Sequence, residues 1–332
     1  MSMKSTLTAL LLTTAVASPA FAENAKVVFG TNWLAQAEHG GFYQSVADGT
    51  YAACGLDVEI ISGGPQVNNR ALMLAGRIDY HKGGDLLQAF NAVKEGIPVV
   101  AVAATFQKHP QVLVAHPDVE SWEGLKDRTL LIGDNGFTSY YQWMIAEHGF
   151  TVEQRQPYTF NPAPFLADTN VAMQGYLSSE PYVVEKEGGF EPNVFLIADN
   201  GFSSYATTIE TMQATIDEKP EQVKCFVEGS IKGWYNYLYG DNAAANELIK
   251  TANPDMTDDK ITYAIGKMKE WGIVDSGDAL EMGIGVMTDE IVNDFYAKMV
   301  NAGVIEEGLD VSAAYTLEFV GEGVGMDLKP GG

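Results

Sequence analysis

Five short stretches hold the residues whose types and spacing could do chemistry: Asn32-Trp33, Gly83-Gly84-Asp85, Phe106, Asn135-Gly136-Phe137-Thr138, and Tyr176 through Glu180. All mix aromatic, amide or glycine residues and follow segments that read as strands. Aromatic faces with a few polar groups suit a flat, partly polar ring. A carboxylate such as Glu180 accepts paired hydrogen bonds from an exocyclic amine and a ring N–H. Every stretch also has a plainer reading. Trp33 fits an ordinary core position, Glu180 fits a cap on a helix begun by Pro181, and Asn135 to Thr138 fits a turn with an N-cap. Phe106 fits a cover for its strand edge, and His39 and His81 fit surface or hydrogen-bonded core sites. Tyr140, Tyr141 and Trp143 fall within one helix and read as core.

Catalytic and metal motifs do not stand out. The histidines His39, His81, His109, His116 and His148 show no HxxxH or HExxH spacing, so no metal site is expected. Ser45, Ser62 and Ser139 lack the GxSxG setting of an activated nucleophile. Gly133 to Gly136 is neither a phosphate-cradling GxxxxGK[ST] loop nor a GxGxxG dinucleotide fingerprint, and no cofactor is expected.

The elements that must position these loops alternate between strand and helix. Lys26 to Gly30 predicts a first strand, Glu38 to Tyr51 a helix, and Leu56 to Ile61, alternating apolar and acidic, a second strand. A helix over Asn68 to Ala75, a short strand at Ile78 to Tyr80 and a helix over Leu86 to Lys94 follow. Pro98 to Ala104 is apolar and β-branched, as in a strand buried on both faces. From Pro110 a second alternating run begins, with strands at Arg128–Ile132, Tyr158–Phe160, Val171–Tyr176 and Val194–Ala198. The pattern predicts mostly parallel sheets flanked by helices in two α/β lobes. Beyond Thr211 all spacing is helical, and Pro220 opens the longest helix. With no third strand-rich unit, these helices are expected to pack back on the first lobe. Lobe 1 then comprises residues 23–115 and 206–332, lobe 2 residues 116–205, and the chain crosses between them twice.

Location is written at the N-terminus. Lys4, the apolar run Leu7 to Val16 and Ala20-Phe21-Ala22 match a cleaved secretory signal over residues 1–22, which places the mature chain outside the cytoplasm. The run is too short for a membrane anchor. The formal charge of −24 becomes −25 when Lys4 leaves with the leader, and a chain so acidic repels nucleic acid and anionic lipid. Cys54 and Cys225 are the two cysteines. Export permits a disulfide, yet nothing in the sequence shows that they meet, and two separately buried thiols is the reading preferred here.

An ordered set of segments adds a family resemblance. Asn32-Trp33, Glu38-His39-Gly40-Gly41-Phe42-Tyr43, Gly63-Gly64-Pro65, Ala75 to Asp79, Gly83-Gly84 and Tyr176 to Pro181 together resemble periplasmic solute-binding proteins of ABC importers. The nearest likeness is to the nitrate, sulfonate, taurine and thiamine-precursor pyrimidine group. The resemblance implies a type II two-lobed periplasmic binding fold, a small-molecule ligand in the cleft, and delivery by a monomer to an inner-membrane permease. It directs attention to Asn32, Trp33, His39, Tyr43, His81, Gly83, Gly84 and Phe106 on lobe 1, and to Asn135, Phe137, Tyr176 and Glu180 on lobe 2. A thiamine-type pyrimidine is the favoured solute, ahead of other nitrogen heterocycles and of sulfonates, because no arginine falls in the expected loops. Other readings stay open: a periplasmic sensor domain, or an exported pyrimidine-acting enzyme with His81 or Glu180 as base and Lys82 as electrophile.

Overall fold

The structure is a computed structural model that describes residues 23–64 and 67–331. The expected signal peptide lies outside the described residues. The chain runs β1 (Ala25–Gly30), α1 (Gly40–Ala47), α2 (Thr50–Ala53), β2 (Leu56–Ile61), α3 (Asn69–Leu74), β3 (Tyr80–Lys82), α4 (Leu86–Lys94) and β4 (Val99–Phe106). It continues through β5 (Gln111–Ala115), β6 (Thr129–Ile132), α5 (Asp134–Phe137), α6 (Tyr140–His148), β7 (Arg155–Pro157), α7 (Ala163–Ala167), β8 (Val171–Tyr176), α8 (Glu180–Gly188) and β9 (Asn193–Leu196). After β10 (Ala206–Met212) come only helices: α9 (Gln213–Glu218), α10 (Pro220–Tyr239), α11 (Ala243–Ala252), α12 (Asp258–Glu270), α13 (Ala279–Met282) and α14 (Asp289–Asn301).

Two five-stranded sheets organise these elements, in the orders β2-β1-β3-β10-β4 and β7-β6-β8-β5-β9. The expected α/β pattern of two lobes with mostly parallel sheets is present, each sheet having four strands that run one way and one that is reversed. In the first, β10 runs antiparallel to both β3 and β4; in the second, β5 runs antiparallel to both β8 and β9. Both reversed strands are ones that have just crossed between sheets, so they enter from the opposite end. Because β5 belongs to the second sheet, the first crossing is residues 107–110, ahead of the boundary expected at 115/116. The second crossing, residues 201–205, leads into β10.

β10 is the element the sequence pattern missed. Its run Ala-Thr-Thr-Ile-Glu-Thr-Met is buried over six of seven positions, with Glu210 fully buried in the middle. A charged residue in a buried strand breaks the apolar signature, and helical spacing was read from Thr211 instead. The ion pair that makes the burial tolerable comes from Arg70, 140 residues away. The expected strand at Tyr158–Phe160 also moves: pairing stops at Pro157, beyond which the chain leaves this edge of the sheet. Phe160 adopts φ 61°, a left-handed conformation uncommon for a bulky side chain.

The helices after β10 pack on the first sheet. α10 lies along α1 at close approach, because a Cβ on Gly41 would overlap the Trp234 indole and one on Gly233 would overlap Ser45 and the Gly41 carbonyl. The Ser45 hydroxyl donates to the Gly229 carbonyl at 2.7 Å. The glycines beside His39 therefore serve helix packing. At the other end of that interface Cys54 and Cys225 form a disulfide with Cα atoms 5.9 Å apart, which corrects the expectation of separate thiols. The fold brings together residues 171 apart in sequence, a proximity no local pattern records.

Closing so long a loop removes much chain entropy from the unfolded state, typically worth about 2–4 kcal/mol. Replacing both cysteines by serine is expected to lower the urea midpoint by that order. An unchanged midpoint, or one equally sensitive to reductant in the variant, would show that the bond adds nothing.

Candidate functional site

A cavity lies between the two sheets, with about 970 Å³ of atom-free space counted to its open mouth. Lobe 1 contributes the loop after β1 (Asn32, Trp33, Gln36), the turn carrying Glu38 and His39, the end of β3 with Lys82, and Gly84, Asp85 and Gln88 at the start of α4. The first crossing supplies His109, and Gln111 follows at the start of β5. Lobe 2 adds Asn135, Gly136, Ser139 and Tyr140 around α5 and α6, Phe160, and Gln174 to Glu180 between β8 and α8. Loops at strand ends converge because both sheets point those ends at the cleft.

The mouth is aromatic. Trp33 and Phe160 meet across it with ring centroids 4.7 Å apart and planes at 53°. Trp33 is half-buried and not in either core, so the core reading of it fails. Deeper in, the wall is polar and charged. Glu180 is held by the Tyr176 backbone N–H, which donates to Oε2 at 2.7 Å. Burial pushes the Glu180 carboxyl up to about 7, and the neighbouring Glu38 charge adds to that rise while backbone hydrogen bonds oppose it. Glu38 is likewise raised by burial, against the hydrogen bond that the Ser178 hydroxyl donates to it and the Lys82 charge.

Lys82 is the complementary case. Burial brings its ammonium down to about 8, while Glu38 and Glu210 pull it back up, and it donates to Asn32 Oδ1 at 3.0 Å. Burial, and then the Lys82 charge, hold His39 well below its ordinary value, so its imidazole is neutral. Its Nδ1 is buried with no hydrogen-bond partner. Asp85 stays ionised despite burial because His109, Ser139 and the Gln88 N–H all stabilise the carboxylate. On the floor, Gln174 Oε1 accepts from the Gly133 N–H at 2.7 Å and from the Tyr140 hydroxyl at 3.0 Å, which fixes that amide. Among the described residues no arginine lines the cavity, and no cluster of three His, Cys, Asp or Glu is placed to hold a metal.

Seven of the twelve residues singled out from sequence line this space: Asn32, Trp33, His39, Gly84, Asn135, Tyr176 and Glu180. Five do not. His81 turns to Glu210, with Nδ1 3.3 Å from Oε2, inside lobe 1. Gly83 is glycine because a Cβ there would overlap Glu210 and Thr208. Phe106 is fully buried edge-on to Trp234, and Tyr43 is buried in the lobe 1 core. Phe137 packs on Tyr141 beneath the Arg155 guanidinium, 4.8 Å from its ring centroid. Sequence reasoning missed Glu38, Gln88, His109, Gln111, Gln174 and Phe160 as lining residues. Glu38 carried a usable signal, an acidic residue in a largely apolar segment; the rest did not differ from surface residues.

These features define the class: a two-lobed α/β protein with the periplasmic binding protein fold, its cavity walled by both lobes. The chain belongs to the NMT1/THI5-like family, whose sequence model matches residues 36–244. It is 24% identical over 321 residues to the riboflavin-binding protein RibY of Chloroflexus aurantiacus, covering 89% of this chain and 86% of that protein. Its fold resembles the alkanesulfonate-binding protein SsuA from Xanthomonas axonopodis pv. citri bound to MOPS, at TM-score 0.61 and 13% identity over 89% of this chain and 99% of that one. It also resembles the desulfurization enzyme DSZB, at TM-score 0.52 and 12% identity over 89% and 97% of the two chains. Binding protein and enzyme share this fold, so function must be argued from the cavity.

The position of Glu180 yields a pH signature. An unfolded chain gives its carboxyl up near the ordinary 4.5, whereas the folded protein resists until about 7. The folded state is therefore free of penalty below about pH 4.5, and the cost of ionising a buried group grows as pH rises through 7. Glu180→Gln can still accept the Tyr176 N–H but does not ionise. Its melting temperature relative to the parent is expected to climb between pH 5 and pH 8, and a difference that stays flat over that span refutes the shift.

Proposed function

We propose that this protein is the solute-binding component of an ABC importer, exported to the periplasm, which captures a flat, uncharged nitrogen heterocycle and delivers it to an inner-membrane permease. The favoured solute is an aminopyrimidine of the thiamine-precursor type. The observation that carries this reading is Glu180, a buried carboxyl poised near neutrality in a cavity walled by both lobes. A ring nitrogen beside an exocyclic amine presents an acceptor next to a donor. A carboxyl that keeps its proton up to about pH 7 matches that edge, donating O–H to the ring nitrogen and accepting N–H from the amine.

The rest of the lining supports the same class. Trp33 and Phe160 offer ring faces at the mouth, and neutral His39 lines the wall inside. Glu38, Asp85 and Glu180 line the cavity together with one ammonium, Lys82, which already donates to Asn32. That balance penalises a sulfonate, which would enter beside three carboxyl groups without a guanidinium to meet it. His81, one candidate base of the enzyme reading, faces away from the cavity. The chain works as a monomer in which the solute, by touching both lobes, adds to the stability of the closed state.

A thermal-shift and calorimetric panel of aminopyrimidines, riboflavin, purines, taurine and alkanesulfonates tests this. Aminopyrimidines are expected to bind at micromolar affinity or better, about −8 kcal/mol. Binding of a sulfonate alone, or turnover of any heterocycle, defeats the proposal. Trp33→Ala is expected to weaken binding by one to two orders of magnitude, about 1–3 kcal/mol, by analogy with stacked bases. Unaltered affinity in that variant removes the indole from the ligand contact.

A further inference from the structure

Two hydrogen bonds cross the cleft from lobe 2 hydroxyls to lobe 1 carboxylates. Ser139 Oγ donates to Asp85 Oδ2 at 2.8 Å, and Ser178 Oγ donates to Glu38 Oε1. All four side chains are buried, at 4%, 2%, 5% and 1% exposure, although two of them are carboxyl groups. Both acceptors are fixed by their own lobe before the cleft closes. Asp85 caps α4 by accepting the Gln88 N–H at 3.0 Å, and His109 of the first crossing stands 3.5 Å away. Glu38 sits in the short turn before α1, within the field of Lys82. Both donors sit just ahead of lobe 2 helices, Ser139 at the start of α6 and Ser178 two residues before α8.

We propose that Ser139 and Ser178 are positioning residues for closure: their hydroxyls dock on Asp85 and Glu38 and hold the lobes shut before any solute adds its own contacts. One bond lies beside the first crossing, where His109 stands against Asp85, and the other joins the turn before α1 to the segment before α8, so opening the cleft requires both to part. A hydrogen bond to a charged acceptor contributes more than a neutral one, and breaking it here exposes a pre-oriented carboxylate. The latch therefore favours a compact ligand-free protein. Resting on the carrier reading above, it also lengthens residence of a bound solute, because release requires the same two bonds to part.

Small-angle scattering of the ligand-free mature chain, disulfide intact, reads closure without knowledge of the solute. The parent is expected to be compact and Ser139→Ala/Ser178→Ala measurably larger in radius of gyration, with each single variant between. Ser178→Thr keeps the hydroxyl and should restore the compact form, which a mere loss of volume at that site would not. Circular dichroism confirms that each variant is folded; should the double variant unfold, Ser178→Ala alone and Glu38→Gln carry the comparison. An expanded parent, or equal radii for parent and folded variants, overturns the latch. For whichever heterocycle binds, each lost bond should raise the dissociation rate about tenfold, and unchanged rates overturn the residence role. If no heterocycle binds at all, the scattering result stands and only the carrier reading falls.

Discussion

Taking carboxyl groups out of water and leaving them reachable by a ligand is the constraint on which the rest of this structure depends. Glu38, Asp85 and Glu180 occupy one cavity, and each is handled differently. Asp85 is compensated by a helix N-terminus, a histidine and a serine, and stays ionised. Glu38 shares the Lys82 charge and a serine hydroxyl. Glu180 has backbone N–H bonds and no cation, so its proton is held to about pH 7. Desolvation acts on all three alike, and the partners decide which one remains able to exchange a proton near neutrality.

Those partners need a rigid lobe 1 behind them. Lys82 ends β3, which is flanked by β1 and by the returning strand β10. Glu210 on β10 is fully buried and accepts from Arg70 through Nε at 3.1 Å and Nη2 at 2.8 Å, with His81 on its other side. A buried ion pair of this kind seldom adds much net stability, but removing one partner leaves an uncompensated charge. It ties α3, β3 and β10 into one unit. Beside it Thr207 adopts φ 53°, held by its N–H to the Gly84 carbonyl at 2.7 Å and by the Thr105 hydroxyl on its own carbonyl at 2.9 Å. The second crossing thus enters lobe 1 through a fixed bend.

The parts of the fold legible in the sequence are those whose signal is local. β4, apolar but for Thr105, is buried at every position; β2 alternates as written, and the helices after residue 213 begin and end near their expected bounds. The strand ends were legible too, and with them Asn32, Trp33, Tyr176 and Glu180, because loops after strands must line the gap between sheets. The misreadings share one cause. β10, the true register of the first crossing, the Cys54–Cys225 bond and the latch carboxylates all depend on a partner more than fifty residues away, as with Ser139 and Asp85. Phe137 and Phe106 looked like ring-stacking residues by type, but packing neighbours claimed their faces.

The sequence by itself determined most of the order of strands and helices, the net acidic charge and the set of loops from which a cavity could be made. Periodicity and turn chemistry act within a few residues of each other, so they can be read along the chain. Tertiary structure alone decided which of those side chains face the gap, which proton Glu180 keeps, and that Cys54 meets Cys225. Burial and charge compensation are properties of distance in space, and only the folded chain sets those distances.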